Sequence, residues 1–150
     1  MADLFNQDFQ DFIDSLNKSK VEYILVGGYA VVLHGYIRST GDMDIWVNKT
    51  ASNYQKLRNA FQLFGAPIFS ELDFLGNNFD VWGVGKEPNR IEMLTDLKGV
   101  RFEEAYPFCK TFVQNSVEIK YIDLANLIRA KEAAGRFKDK NDIEQLKKKS

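Results

Sequence analysis

Two adjacent glycines, Gly27 and Gly28, interrupt one apolar run, and an Asp-Met-Asp triplet, Asp42 to Asp44, opens the next. In an extended segment side chains alternate, so Asp42 and Asp44 project from one face while Met43, Ile45 and Val47 project from the other. Two carboxylates a few ångströms apart repel and raise each other's pKa unless a cation lies between them. A hard divalent ion such as Mg²⁺ resolves that conflict, because it takes oxygen ligands and keeps room for water and phosphate. The glycines suit a complementary task. Gly-Gly between a strand and a helix lets a phosphate approach the backbone, and the helix that follows offers unpaired N–H groups. A third carboxylate, Glu92, stands in RIEMLT with Ile91 and Met93 pointing the opposite way. If that strand lies beside Asp42 to Val47, three carboxylates converge; Glu71, Asp73 and Asp80 are the next acids in line. A Gly-Gly turn or a solvated Asp-x-Asp edge is ordinary by itself. Their succession in strand, glycines, helix, strand order is what points to phosphate and metal chemistry.

The elements that must position these residues can be read from periodicity. Phe5, Phe9, Phe12, Ile13 and Leu16 recur at helical spacing behind the possible cap Asp3. VEYILV reads as a buried strand ended by the glycine pair, and Tyr29 to His34 as a short buried helix stopped by Gly35. Asp42 to Val47 is a second strand, and Tyr54, Leu57, Phe61 and Phe64 form the stripe of a helix closed by Gly65. FDVWGVG and RIEMLT flank KEPN as two strands joined by a turn, and Phe102 to Tyr106 makes a brief helix. KTFVQNSVEIKYI reads as a hairpin about Gln114-Asn115-Ser116. Asp123 caps a helix through LANLIRAKEAAG that ends at Gly135, and Lys140 to Lys149 makes a final polar helix.

Composition narrows the classes. A chain of 150 residues with 45% hydrophobic content supports one compact domain over residues 1–150. A formal net charge of -1 supplies no overall positive field, so any nucleic-acid contact is local. Cys109, the single cysteine, excludes an internal disulfide and a thiolate zinc cluster and reads as a small core residue. No apolar run approaches the roughly 18 residues of a membrane span, and the acidic amino end is unlike a signal peptide, so the expected location is cytoplasmic, with no membrane partner. His34 reads as a helix-end residue. Arg38 stands close enough to the aspartates to pair with them or with phosphate. From Arg129 to Ser150 eight Lys or Arg face four Asp or Glu. Lys147 to Lys149 read as a solvated helix face, and the remainder leaves room for a local patch that takes RNA or an acidic partner.

These residues resemble a family. Val26 to Val47 is similar to the signature of the DNA polymerase β-like nucleotidyltransferase superfamily: a Gly-Gly or Gly-Ser after the first strand, then Asp-x-Asp on the second. More narrowly, His34-Gly35, Arg38, Thr40 and Asp42-Met43-Asp44 resemble the bacterial nucleotidyltransferase toxins of the abortive-infection type. LIRAKEAAGRFKDKNDIEQL is similar to the Lys, Gly-Arg and Lys-Asp-x-x-Asp pattern that closes many of them. The resemblance implies an α+β fold, a mixed β-sheet flanked by helices with C-terminal helices beyond it. It also implies two Mg²⁺ ions, for which Mn²⁺ can substitute, and transfer of a nucleoside monophosphate from an NTP to an RNA end or a protein hydroxyl. By position Asp42, Asp44 and Glu92 match the catalytic, metal-holding acids, Glu92 standing where the family usually has aspartate as the base. Gly27, Gly28, Arg38, Thr40 and Lys131 match the nucleotide-binding positions. Gly28 occupies a place where many members carry serine, so a hydroxyl contact to phosphate is lost there. The resemblance further implies a toxin working against a cognate antitoxin. The alternative is a non-catalytic member of the fold that binds nucleotide or a partner protein, as an antitoxin would.

Overall fold

The computed structural model describes residues 3–77 and 81–149. Asp80, one of the reserve carboxylates, and the Phe79-Asp80 start of FDVWGVG lie outside the described residues. The helix α1 (Gln7–Lys18) leads into the strand β1 (Tyr23–Val26), the short helix α2 (Gly27–Leu33) and the strand β2 (Met43–Val47). Two helices follow, α3 (Ala51–Phe64) and α4 (Glu71–Leu75), then the hairpin of β3 (Val81–Val84) and β4 (Ile91–Leu94). The helix α5 (Phe102–Ala105) continues as a 3₁₀ turn over Tyr106–Phe108 into a second hairpin, β5 (Lys110–Gln114) and β6 (Val117–Tyr121). The helices α6 (Leu124–Ala134) and α7 (Phe137–Lys149) complete the described chain.

The six strands form one mixed sheet in the order β3-β4-β2-β1-β6-β5. β1 and β2 are antiparallel, whereas β2 runs parallel to β4 and β1 parallel to β6. The expected α+β architecture is therefore present. Alternation along the central strands feeds two separate cores. Tyr23, Leu25, Met43, Ile45 and Met93 pack with Phe9 and Phe12 of α1 and with Leu57 and Phe61 of α3. Ile24, Val26 and Trp46 face the other way, against Phe102 of α5, Leu127 of α6 and Leu146 of α7. Both faces are thus covered, and Asp44 belongs to the second face with Trp46.

The helix boundaries refine the sequence reading. Asn6, not Asp3, caps α1, its side chain accepting from the Phe9 N–H. The cap lies further along because Phe5 is held outside the helix, its N–H donating to Gln114 Oε1 at 3.1 Å. Gly65 and Gly135 close α3 and α6 in the left-handed conformation, and Asp123 caps α6 as its position suggests. The final helix starts at Phe137, three residues before the expected Lys140, because Asp139 reaches back to the Arg136 N–H at 3.1 Å, the acid half of a capping box. α4 had no counterpart in the periodicity; five residues capped by Ser70 are too few to show one. His34 ends α2, its Nε2 donating to the Ile122 carbonyl at 2.7 Å, and Cys109 is only partly buried, at the edge of the second core. No helix among the described residues is long and apolar enough to cross a membrane.

Candidate active site

The end of β1, the start of β2 and the middle of β4 open onto one cavity of about 390 Å³. The eight residues matched to the site from the sequence line it, Gly27 and Gly28, Arg38 and Thr40, Asp42 and Asp44, Glu92, and Lys131, whereas the reserve acids Glu71 and Asp73 do not. The sheet explains why. Parallel pairing sets Asp44 opposite Glu92 and leaves Met43 and Ile45 beside Ile91 and Met93, so the two carboxylates share a face as neighbours. Asp42 stands one residue before β2, where the Met43 N–H is held by the Arg90 carbonyl at 3.1 Å.

Asp44 carries the electrostatic signature of the site. Burial, then the charges of Glu92 and Asp42, push its pKa up to about 7, and the more distant cations Lys138 and Lys131 offset only part of that. Glu87, on the β3–β4 turn, is also raised, chiefly by a hydrogen bond to Asp42. The Glu92 carboxylate is partly engaged, at 3.2 Å from Arg90 Nε. Gly83 faces Glu92 across the hairpin, and a side chain there would overlap the Arg90 guanidinium, so the glycine seats that arginine. Asp42, Asp44 and Glu92 line one cavity, but among the described residues no three such groups are gathered closely enough to grip an ion. The donor set nevertheless fits a hard divalent cation: oxygen ligands only, with a buried carboxylate short of positive charge.

The glycine turn is fixed by close approach. Gly27 has φ +71°, and a Cβ there would overlap the Asp44 carboxylate, so the turn and the acid are packed backbone to side chain. Gly27→Ala is expected to destabilise the protein by about 1–3 kcal/mol, from left-handed strain and displacement of Asp44. Urea unfolding at neutral pH checks this, and an unchanged midpoint would show that the contact is absent. A Cβ on Gly28 would overlap the Thr40 hydroxyl. The hydroxyl that Gly28 lacks is therefore brought to the cavity from the loop by Thr40, and the two residues are sterically complementary.

The same cavity has a basic wall built by α6, the α6–α7 turn, α7 and the loop that carries Arg38. Lys131 Nζ lies 3.3 Å from Asp139 and 3.0 Å from Asp142, all three residues being buried. Arg38 does not pair with the aspartates of the sheet. Its Nε and Nη2 donate to the two oxygens of Asp142, each at 3.0 Å. Arg136 donates to Asp139 through Nε at 2.7 Å and Nη2 at 3.2 Å. Burial opposes the Asp139 charge, but these hydrogen bonds and the Lys131 ammonium outweigh it and hold its pKa below the ordinary range. Three cations on two acids leave this cluster net positive, and Arg38, Lys131 and Arg136 line the same cavity as the carboxylates. Sequence reasoning overlooked Arg136 and Lys138 as cavity residues, and Asp139 and Asp142 as the buried acids that hold Lys131 and Arg38. The signal was the Gly-Arg and Lys-Asp-x-x-Asp pattern of this segment, which contains all four residues but assigned none of them to the site.

A smaller apolar recess of about 160 Å³ adjoins the cavity through Gly27, Asp44 and Lys131, with Leu94, Leu127 and Ala130 among its walls. No protein-family model matches the sequence, and no curated protein matches it. Solved structures do share its architecture. TM1012 of Thermotoga maritima, whose assignment as a nucleotidyltransferase is itself provisional, aligns with a TM-score of 0.60 at 13% identity over 95% of this chain and 91% of that one. The lincomycin-bound lincosamide antibiotic adenylyltransferase LnuA aligns with a TM-score of 0.57 at 17% identity over 99% of this chain and 100% of that one. The chain thus has a nucleotidyltransferase-like fold.

Proposed function

We propose that the protein is a Mg²⁺-dependent nucleotidyltransferase that moves a nucleoside monophosphate from an NTP to a hydroxyl acceptor. The observation that carries this reading is the composition of one cavity, which is lined both by the carboxylates Asp42, Asp44 and Glu92 and by the cations Arg38, Lys131, Arg136 and Lys138. A magnesium triphosphate carries both signs of charge as well. Asp42, Asp44 and Glu92 would hold the metal, which supplies charge neutralisation at the transferred phosphoryl group. The glycine turn and the Thr40 hydroxyl meet phosphate oxygens, and the basic wall takes the departing charge. The acceptor oxygen bonds to the α-phosphorus, its proton passes to Glu92, the bond to the β-phosphate oxygen breaks, and pyrophosphate leaves. The apolar recess beside Asp44 suits the flat face of the nucleobase.

The setting that we propose is the cytoplasm, where the protein is the growth-inhibiting member of a toxin–antitoxin pair; the resemblance of its motifs supports this. A second reading, a binding module without turnover, is favoured by one observation: the carboxylate that would take the proton is engaged by Arg90. Thermal unfolding with Mg²⁺ or Mn²⁺ plus NTP tests the site itself. A ligand bound only by the folded state stabilises it, so the native protein is expected to melt higher by several degrees. Asp42→Asn combined with Asp44→Asn is expected to abolish that rise. An undiminished rise in the double variant would rule out the metal site.

A further inference from the structure

Phe137 is 93% exposed, more than any other large apolar side chain recorded as exposed among the described residues. It opens α7 between Arg136 and Lys138, and both of those line the carboxylate cavity. We infer that this corner is a stacking platform for the end of a single-stranded nucleic acid, whose terminal hydroxyl is the acceptor. The inference rests on the nucleotidyltransferase reading for the transfer step and on the platform alone for binding.

Three features converge on a polyanionic strand. First, an aromatic ring held in solvent, followed in sequence by the exposed Lys138, is a combination on which unpaired bases stack while their phosphates are neutralised. Second, exposed cations outnumber exposed acids here, because the buried acids are matched by the cations they pair with. Asp139 and Asp142 are buried in pairs with Lys131, Arg136 and Arg38, which leaves Glu132 and Glu144 as the exposed acids from Arg129 onward. Third, Arg136 and Lys138, the sequence neighbours of Phe137, line the same cavity as Glu92 and Asp44, so a strand stacked on the ring would have its end near the carboxylates. An apolar protein partner would call for a contiguous apolar patch, whereas Phe137 is flanked by charge. A blunt duplex end offers the ring only the outer face of its last base pair and keeps its terminal nucleotide paired, so it is expected to bind less tightly than a free single-stranded end.

The test is fluorescence anisotropy of short labelled oligonucleotides at low salt without NTP, using single-stranded RNA, single-stranded DNA and a blunt duplex of the same sequence. A single strand is expected to bind more tightly than the duplex, and the preference between RNA and DNA identifies the acceptor. Phe137→Ala is expected to weaken binding about 5- to 100-fold, while Phe137→Trp preserves it. Both variants should melt with the native protein, since the ring is solvent-exposed. Lys138→Gln is expected to flatten the dependence of log Kd on log salt by about 0.7, the loss of one phosphate contact. The inference is overturned if no strand binds while Mg²⁺ and NTP still raise the melting temperature, or if Phe137→Ala binds as the native protein does. It is also overturned if sedimentation shows a dimer that Phe137→Ala dissociates, since the ring would then serve a second copy of the chain. Strand binding with no transfer to any acceptor sinks the transferase reading and leaves the platform; transfer to a protein hydroxyl without strand binding does the reverse.

Discussion

Asp44→Asn is expected to stabilise the metal-free protein at pH 8 while lowering nucleotidyl transfer by at least about a hundredfold. The two effects have one cause. Burial and the neighbouring charges of Glu92 and Asp42 raise the Asp44 pKa from an ordinary 3.8 to about 7. Between those values the folded chain binds a proton that the unfolded chain has released. The number of protons bound is then greater in the native state, so unfolding free energy falls as pH rises through that window. The total loss, at 1.36 kcal/mol for each pH unit, is roughly 4 kcal/mol by pH 8. Asparagine keeps the shape without the charge. Its amide must still find partners, so the expected gain at pH 8 is smaller, about 1–3 kcal/mol, and it vanishes near pH 4. Urea unfolding of both proteins across pH 4 to pH 8 in chelator measures this. Parallel profiles would show that Asp44 is not held against its own charge. Saturating Mg²⁺ with NTP should reverse the order, because the cation relieves the native carboxylate and has little to offer the amide. The loss in rate follows from the same missing charge: each 1.4 kcal/mol of phosphoryl stabilisation is tenfold in rate, and a metal ligand supplies several.

Much of this site was legible because its signals are local. The glycine pair, the Asp-Met-Asp triplet and the glycines that close α3 and α6 each follow from a few adjacent residues; the two closures stand as read, whereas α2 begins at Gly27 and not at Tyr29, and β2 at Met43 and not at Asp42. The place of Glu92 was legible only conditionally, since nothing in RIEMLT states which strand lies beside it. Parallel pairing of β2 and β4 decides that, and a slip of one residue would have turned Glu92 to the opposite face. The basic wall was not legible. Arg38 and Asp142 are 104 residues apart in sequence and meet through two hydrogen bonds. In a run as charged as GRFKDKNDIEQLKKK, acids read as solvated, yet Asp139 is 0% and Asp142 1% exposed. Burial of those acids depends on α7 packing against α6, which brings Lys131 to both of them, and on the loop that carries Arg38 reaching Asp142, contacts that have no period in the sequence. Glu87 escaped notice for the same reason: its hydrogen bond to Asp42 crosses from the β3–β4 turn to the mouth of β2.

Glu92→Gln separates an enzyme from a binding module. Glutamine keeps the length and a hydrogen-bonding end but takes no proton, so loss of a general base is expected to cut turnover about 10²- to 10⁴-fold, far more than it weakens NTP binding. The Arg90 pair contributes little to the interpretation, since its Glu92 side chain is 31% exposed and the pair is screened. A second readout checks that the geometry is intact. Glu92 is the largest charged contributor to the raised Asp44 pKa, so the variant should let Asp44 titrate closer to the ordinary carboxylate range, as NMR of the side-chain carboxyl would report. Glu92→Asp shortens the reach by one methylene and keeps the proton acceptor, and it should retain more activity than Glu92→Gln. Native protein that binds NTP with Mg²⁺ and labels no acceptor, itself included, would establish the binding module. If labelling occurs and Glu92→Gln proceeds at the native rate, Glu92 is not the base. Glu87 then becomes the carboxylate to test, because it is the acid already hydrogen-bonded to Asp42.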